Sequence, residues 1–203
     1  MAKPIDLECL APWLPARSEA QEAVLVAFEE AVLRHGLQGA SFARIAEQGG
    51  FHRSLIQHHF GTREQLLAAS LERLVDVYGA IVQSILAVTP PQDRTPRLLD
   101  WLCRPFGPEG PPREALVVDA FQALAGNVPD VARRLAELYG HFAVALAGAL
   151  AHSAPDAASP ARQELAHVLI SLSIGRACLD TLGFSTARGP AVRQACQVLI
   201  EAL

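Results

Sequence analysis

The chain has 203 residues, of which 51% are apolar and 19% are charged. Such a chain can bury enough apolar surface to offset its conformational entropy, which argues against intrinsic disorder. Alanine and leucine dominate, and the period-two alternation of half-buried strands is scarce, so the sequence predicts an all-α fold. The formal net charge of -4 neither indicates nor excludes a nucleic-acid partner by itself.

The N-terminal segment Met1–Arg17 is predicted to be a partly disordered arm. It contains Asp6 and Glu8 and lacks a continuous apolar core, which argues against a secretory signal. Elsewhere, the most apolar run, Leu165–Ile174, is interrupted by serines and is too short to cross a bilayer. The four cysteines are scattered without a CxxC pair, which argues against a disulfide framework or a zinc site and favours a reduced, cytoplasmic location.

Helix start and stop signals follow the arm closely. Ser18 begins a helix in which Gln21 completes a capping box, and Gly36 ends that helix. Ser41 is the next N-cap residue, and Gly50 lies just beyond the helix that Ser41 opens. These signals predict three short helices at about residues 18–36, 41–47 and 52–60.

A much longer helix follows the three short ones. Thr62 and Gln65 form its capping box, and no helix breaker occurs before Pro90. Two loops rich in proline or glycine, at 89–96 and 106–112, are expected next. Further helices are predicted at about 96–104, 113–125, 129–152, 160–184 and 190–202. The total is about nine helices: three short helices, a long connector and a C-terminal helical bundle.

The second and third helices have the pattern of a helix-turn-helix motif. Gly50 stands where the chain must reverse, and a positive φ is expected there. Phe51, Ile56 and Phe60 are expected to point inward, which leaves a mostly polar outer face on the third helix. Such a helix fits the DNA major groove with its N-terminal end first. The segment 34–63 also carries four arginines and one acid, so it forms a modest basic island.

At these positions the sequence resembles the DNA-binding domain of TetR/AcrR transcriptional regulators. The matching elements keep the spacing of that family without interruption, at Ser41, Ile45-Ala46, Gly49–His52, Ile56–Phe60 and Arg63–Leu67. Three residues depart from the family pattern: Gln57 replaces the usual tyrosine, His52 the usual serine and Arg63 the usual lysine.

The resemblance implies a helix-turn-helix domain at residues 18–64 and a ligand-binding and dimerisation domain at residues 65–203. It also implies a homodimer that binds a palindromic operator on double-stranded DNA. The common mode in the family is repression that a small molecule relieves. No cofactor is expected.

Seven residues are the candidates for contact with DNA. We expect the outer face of the third helix to contact base edges, because Arg53 can pair with guanine and Gln57 with adenine. The base-contacting candidates are Arg53, Ser54, Leu55 and Gln57, and the phosphate-binding candidates are Ser41, His58 and Arg63.

The last two helices are the expected dimer interface, as in the family, where the corresponding helices form a four-helix bundle. The eighth helix is apolar nearly all round, which a helix packed on both sides requires and a lone surface helix does not. The candidate residues are Leu165, Val168, Leu169, Ile170, Leu172, Ile174, Ala177 and Leu179, with Val192, Cys196, Leu199 and Leu203 on the ninth helix.

The helices from the fourth to the eighth are expected, from the resemblance, to enclose an effector cavity. The candidate lining residues are mostly aromatic, so the expected ligand is small, largely apolar and neutral or weakly polar. They are Tyr78, Trp101, Phe106, Phe121, Tyr139, Phe142 and Ile170, with His141 as a polar group that would orient the ligand. Each of these side chains could equally belong to the core.

Other functions have weaker support in the sequence. The sequence contains no Gly-x-Ser-x-Gly, glycine-rich phosphate loop or HExxH motif, so no catalytic site is predicted. His58 and His59 point about 100° apart on a helix, which makes them a poor chelating pair. Cys103 is expected to be a small buried hydrophobe rather than an activated thiol. The alternative to a regulator is a helical ligand-binding protein with lost or altered DNA binding, which Gln57 and His52 would explain.

Overall fold

The computed structural model describes residues 7–104, 106, 111–184 and 189–203. Within these residues every regular element is helical, which confirms the all-α prediction. The α-helices are α1 Glu19–Gly39, α2 Phe42–Gly49, α3 Arg53–Phe60, α4 Arg63–Val88, α5 Arg94–Leu102, α6 Arg113–Ala125, α7 Pro129–Ser153, α8 Ser159–Thr181 and α9 Gly189–Glu201, and 3₁₀ helices cover Leu7–Trp13 and Pro91–Asp93. No helix in this part of the chain is both long enough and apolar enough to cross a membrane.

The predicted helix starts at Ser18 and Thr62 are confirmed by their caps. The Ser18 side chain accepts a hydrogen bond from the Gln21 backbone N–H at 3.2 Å, and the Gln21 side chain accepts one from the Ser18 N–H at 3.0 Å. Before α4, the Thr62 side chain accepts a hydrogen bond from the Gln65 N–H at 3.2 Å, and the Gln65 side chain accepts one from the Thr62 N–H at 2.9 Å. Each pair satisfies two backbone donors that a helix N-terminus leaves without partners.

The N-terminal arm is more ordered than the sequence predicted. Leu7–Trp13 forms a 3₁₀ helix that contains Pro12, and the side chain of Leu10 is fully buried. Pro12 is compatible with this backbone because the fixed φ of proline, about −65°, lies within the range of a 3₁₀ helix. Burial of one leucine contributes about 1.5–3 kcal/mol relative to exposure, which helps to order a short segment. Residues 1–6 lie outside the described residues.

The helices group into two compact units. We call residues 14–77 and 113–137 the HTH unit, and residues 7–13, 78–112 and 138–203, as far as they are described, the bundle unit. Helix α6 thus belongs with the N-terminal helices, although it begins almost fifty residues after the predicted domain boundary. The predicted boundary between residues 64 and 65 separates DNA binding from ligand binding and dimerisation, and it stays a prediction.

The HTH unit has an apolar core with one buried carboxylate beside it. Its largest fully buried side chains include Phe28, Ile45, Ile56 and Phe121. Glu29 of α1 is only 1% exposed. A buried charge is costly unless it is paired, so this carboxylate needs cationic partners.

Two arginines supply that pairing. The Glu29 carboxylate accepts a hydrogen bond from Arg73 of α4 at 2.9 Å and lies 3.4 Å from the guanidinium of Arg113 at the start of α6. Arg113 also pairs with Glu30 at 2.8 Å, and Arg73 with Glu22 at 2.7 Å. Burial raises the pKa of Glu29, while the charges of Arg73 and Arg113 oppose that rise. These contacts join α1, α4 and α6 within the HTH unit.

The bundle unit has a leucine-rich core and also contains three aromatic rings that contact one another. Its fully buried side chains include Leu98, Leu99, Leu150 and Leu169. Helices α8 and α9 contact each other, and α5 contacts α9.

Candidate nucleic-acid interface

Two adjacent glycines make the turn between α2 and α3, each for its own reason. Gly50 has φ 67° and ψ 27°, a left-handed conformation that glycine adopts without strain, so the predicted positive φ is confirmed. A Cβ atom on Gly49 would lie 2.0 Å from the Phe51 ring, so a side chain at this position would displace that ring. The Phe51 N–H then donates to the Ala46 carbonyl at 3.1 Å and closes the end of α2.

Helix α3 has an inner apolar face and an outer polar face. Ile56 and Phe60 are buried and Phe51 is half-buried, as the sequence predicted for all three. Of the candidate DNA contacts on this helix, Arg53, Ser54, Gln57 and His58 are exposed and Leu55 is half-buried. The helix therefore presents donors and acceptors of the kind that contact base edges in the major groove.

The outermost candidate, Arg53, is positioned by a ring of the preceding helix. Its guanidinium carbon lies 5.8 Å from the centroid of the Phe42 ring. A cation at this distance is attracted to the face of an aromatic ring. Phe42 is half-buried at the start of α2, so the contact fixes Arg53 relative to both helices of the motif.

The N-terminal ends of α2 and α3 are capped differently. The Ser41 side chain accepts a hydrogen bond from the backbone N–H of Arg44 at 3.4 Å and remains exposed. His52 occupies the cap position of α3 and makes no side-chain cap hydrogen bond. The first backbone N–H groups of α3 therefore have no side-chain cap. This agrees with the expectation that histidine at this position caps less well than the serine of the family pattern.

Arg63, a candidate phosphate ligand, has internal partners in this structure. Its guanidinium donates to the Leu37 carbonyl and, at 2.7 Å, to the Ala40 carbonyl. Arg44 donates to the neighbouring Gly39 carbonyl at 2.8 Å. Both arginines thus hold the connection between α1 and α2, which indicates a bracing role that the sequence pattern did not reveal. Phosphate binding by Arg63 stays a prediction.

The structure adds three residues to the candidates. Arg34, His35 and Arg44 line an open cleft of about 490 Å³, together with Glu47 and Gln48. Both arginines are exposed. The basic island in the sequence was the signal for them, but it could not show that they share one surface.

The rings of the paired histidines of α3 pack against each other. The ring centroids of His58 and His59 lie 4.9 Å apart in an edge-on arrangement. In the described part of the chain, no group of three or more metal-ligating side chains is found.

The candidate effector residues divide between the two units. Tyr78, Trp101 and Phe142 meet in the bundle unit: Trp101 and Phe142 are stacked with centroids 5.2 Å apart, and Tyr78 lies edge-on to both at 6.0 and 5.9 Å. We call these three residues the aromatic cluster. Phe121 is fully buried in the HTH unit and is not part of it.

The remaining effector candidates have different surroundings. The Phe106 ring lies 5.4 Å from the guanidinium carbon of Arg176. Ile170 is buried and Tyr139 is half-buried, whereas His141 is exposed on α7. The structure therefore brings together three of the eight candidates.

Helices α8 and α9 carry large apolar side chains on exposed surface. Leu165, Leu169 and Ile170 of α8 are buried within the chain itself, so only part of the predicted interface is free. The exposed residues are Val168, Leu172, Leu179, Val198, Leu199 and Leu203, each between 37% and 58% exposed.

The fold of the chain is similar to those of solved transcriptional regulators. A TetR transcription regulator from Haloarcula marismortui aligns with a TM-score of 0.78 at 19% identity, over 92% of this chain and 99% of that one. A transcriptional regulator from Saccharomonospora viridis in complex with choline aligns with a TM-score of 0.75 at 20% identity, over 91% and 97% of the two chains. Reduced NemR from E. coli aligns with a TM-score of 0.74 at 16% identity, over 88% and 95%. No family model and no curated protein matches the chain.

Proposed function

We propose that this chain, which has the fold of TetR-type regulators, is a sequence-specific DNA-binding transcriptional regulator. The observation that carries the proposal is the outer face of α3, where Arg53, Ser54, Gln57 and His58 are exposed beyond a tight glycine turn. Any surface helix exposes polar groups, but here they lie on the second helix of a helix-turn-helix motif, which is the position from which a recognition helix meets base edges.

In this proposal some side chains contact base edges and others contact the phosphate backbone. Arg53 would donate two hydrogen bonds to guanine O6 and N7, and Gln57 would pair with adenine N6 and N7. Ser41 lies at the N-terminus of α2, where backbone N–H groups and the helix dipole favour a phosphate. Arg34 and Arg44 would add favourable charge along the backbone.

The assembly in this proposal is a homodimer on a palindromic operator. One helix-turn-helix motif contacts only a half-site, and a two-fold dimer presents a second copy to the symmetric half. The exposed apolar residues of α8 and α9, among them Leu172 and Val198, support that interface because large apolar side chains exposed on two helices that contact each other are typical of association sites.

The regulation in this proposal is release of the operator by a small, largely apolar ligand. The aromatic cluster of the bundle unit supports such a ligand, since rings and aliphatic groups line most small-molecule sites. Induction requires the ligand to bind the DNA-incompetent state more tightly, by roughly 5 kcal/mol for a near-complete switch. Repression is the mode that the likeness to TetR regulators favours.

A second candidate function is a helical ligand-binding protein with lost or altered DNA binding. The observation that favours it is the missing side-chain cap at His52, which weakens the N-terminal end of the recognition helix.

A mobility-shift experiment with fragments of the source genome separates the two functions. The regulator should select a small set of fragments, and selection should persist against excess competitor DNA. A matched pair of variants sharpens the result: Gln57→Ala should change which fragments are selected, whereas Gln83→Ala, an exposed substitution on α4 in the bundle unit, should not. Absence of any shift at low salt would favour the second candidate, because non-specific binding is strongest there.

A further inference from the structure

Two cysteines that are far apart in the sequence meet in the interior of the bundle unit. Cys103 caps the C-terminal end of α5 and Cys196 lies in α9. Their sulfur atoms are 3.9 Å apart, and the two side chains are 3% and 0% exposed. The sequence had suggested that Cys103 is only a small buried hydrophobe, because nothing in the spacing of the cysteines indicates this pairing.

The two helices are held together beside the sulfur atoms. Arg193, one turn before Cys196, pairs with Asp100 of α5 at 2.9 Å. The Cys103 N–H donates to the Leu99 carbonyl at 2.8 Å, so Cys103 is at the last hydrogen-bonded position of α5. A disulfide needs sulfur atoms about 2 Å apart, so the pair must close by about another 2 Å. A residue at a helix end can make such a shift more readily than one inside a helix.

We propose that Cys103 and Cys196 form a redox-active pair, which a small hydroperoxide such as hydrogen peroxide converts to a reversible disulfide between α5 and α9. The shielding of both sulfur atoms restricts the reaction to oxidants of nearly the size of water. It also separates this pair from Cys178, which is exposed.

The environment of the two thiols assigns their roles. The hydrogen bond between the two thiols, assisted by the charge of Arg193, lowers the pKa of Cys196 to about 7. The same hydrogen bond, together with burial, raises the pKa of Cys103. Cys196, one turn from the Arg193 guanidinium, is therefore assigned as the thiolate that attacks the oxidant, and Cys103, at the end of α5 where the chain can shift, as the resolving thiol.

The reaction is balanced in two steps. The Cys196 thiolate attacks one peroxide oxygen, so that an S–O bond forms, the O–O bond breaks and the second oxygen leaves as hydroxide, which takes up a proton to become water. Cys103 then attacks the sulfur of the sulfenic acid, forming the S–S bond and releasing the hydroxyl group, which becomes water with the Cys103 proton. The two thiols are oxidised by two electrons, and one hydrogen peroxide is reduced to two waters.

Thiol counting on the full-length protein tests the proposal without DNA or an effector. The reduced protein is treated with hydrogen peroxide, freed of oxidant, unfolded and alkylated. We expect the number of reactive thiols to fall from four to two, the unalkylated chain to become lighter by two hydrogens, and peptide mapping to find Cys103 joined to Cys196. Dithiothreitol should restore all four.

Two variants distinguish the pair from its alternatives. Cys178→Ser removes the exposed thiol and should leave the Cys103–Cys196 link unchanged, whereas Cys196→Ser should abolish it and keep Cys103 reactive after peroxide treatment. The proposal is overturned if Cys103 and Cys196 of the wild-type protein stay fully alkylatable, or if peroxide instead links Cys178 or Cys9 between chains. These outcomes do not depend on whether the protein binds an operator.

Discussion

The guanidinium of Arg53 lies over the ring of Phe42, with its central carbon 5.8 Å from the ring centroid. The contact joins the first residue of α3 to the first residue of α2, on opposite sides of the Gly50 turn. A long exposed arginine would otherwise lose much rotamer freedom on binding, and positioning it in advance reduces that loss. The contact with Phe42 therefore holds Arg53 in place for the base contact that we propose.

Replacing Arg53 by alanine should weaken binding to the selected operator by about 1–3 kcal/mol and relax the preference at one base pair. Phe42→Leu should have a smaller effect in the same direction, about 0.5–1 kcal/mol, because it removes only the cation–π contact. Titration of labelled operator fragments and of single-base variants would measure both effects. An unchanged base preference in Arg53→Ala would show that Arg53 contacts no base.

Arg63→Ala should affect stability as well as DNA binding. The substitution removes donors to the Leu37 and Ala40 carbonyls, and hydrogen bonds from a charged group contribute about 1.5–3 kcal/mol each. We expect a lower denaturant midpoint and a uniform loss of affinity for all DNA sequences. Arg34→Ala is the matched control for stability alone: Arg34 is exposed and pairs only loosely with Glu30 at 4.0 Å, so the denaturant midpoint should stay unchanged while DNA affinity falls.

The salt dependence of DNA binding separates bracing from phosphate contact. If Arg63 also binds a phosphate, Arg63→Ala should lower the salt slope by about one. A reduced affinity with an unchanged slope would assign Arg63 to bracing alone. Full stability in Arg63→Ala would contradict the bracing role itself.

Local signals in the sequence were sufficient to locate the motif. The caps at Ser18, Ser41 and Thr62 and the turn at Gly50 depend on neighbours within a few residues, so a single sequence contains them in full. The outer face of α3 followed from helix periodicity alone.

Contacts between distant residues could not be predicted in the same way. The carbonyl partners of Arg63 are 26 and 23 residues away, and Cys103 and Cys196 are 93 residues apart. Helix periodicity indicates which face of a helix is buried, but not which other helix covers it. Phe121 shows the consequence: its pattern correctly indicated an inward side chain, but not that α6 packs in the HTH unit.

The buried carboxylate of Glu29 should give the stability a recognisable pH dependence. Its pKa is raised above the ordinary value of 4.5, chiefly because burial penalises the charged form. Because the folded protein holds this proton more tightly than the unfolded chain, the proton contributes to the free energy of unfolding. That contribution is fully present below pH 4.5 and is lost as the pH rises through the raised pKa of the folded state. Glu29→Gln, which cannot ionise, should lack this loss.

Denaturant unfolding of both proteins from pH 4 to pH 8 would measure the difference. We expect the wild-type protein to lose stability relative to Glu29→Gln as the pH rises over about this range. Glu30→Gln is the control, because Glu30 shares Arg113 but is only half-buried. A wild-type protein that gains stability relative to Glu29→Gln with rising pH would show that Arg73 and Arg113 outweigh burial.

A charge placed on the exposed face of α8 should disrupt the proposed dimer. Leu172 is 38% exposed, and a glutamate at this position would bring two like charges into an apolar interface at a desolvation cost of several kcal/mol. We expect Leu172→Glu to shift the mass measured by light scattering from dimer to monomer and to weaken operator binding. Val144→Glu, on an exposed part of α7, should leave the mass unchanged. A monomeric wild-type protein at micromolar concentration would contradict the dimer.

A substitution in the aromatic cluster and a substitution of Phe121 should have different effects on the ligand response and on stability. Phe142 packs against Trp101 and Tyr78 in the bundle unit, where the proposed ligand would bind, whereas Phe121 is fully buried in the HTH unit. Phe142→Leu should weaken the response to a ligand and change operator affinity by less than about twofold, because its ring would contact the ligand and not the DNA. Phe121→Leu should lower the melting temperature and keep the ligand response of the folded protein, because it removes packing from the core of the HTH unit and leaves the aromatic cluster intact.

A two-stage measurement tests this difference. A panel of small, largely apolar compounds is first tested for a rise in the melting temperature of the wild-type protein, since a ligand that binds only the folded state stabilises it. Compounds that raise it are then titrated into the operator complexes of the wild type and both variants. Release should require more ligand in Phe142→Leu and the wild-type amount in Phe121→Leu. If both variants lose stability equally and release the operator at the wild-type ligand concentration, the aromatic cluster is core packing, and the effector site lies elsewhere.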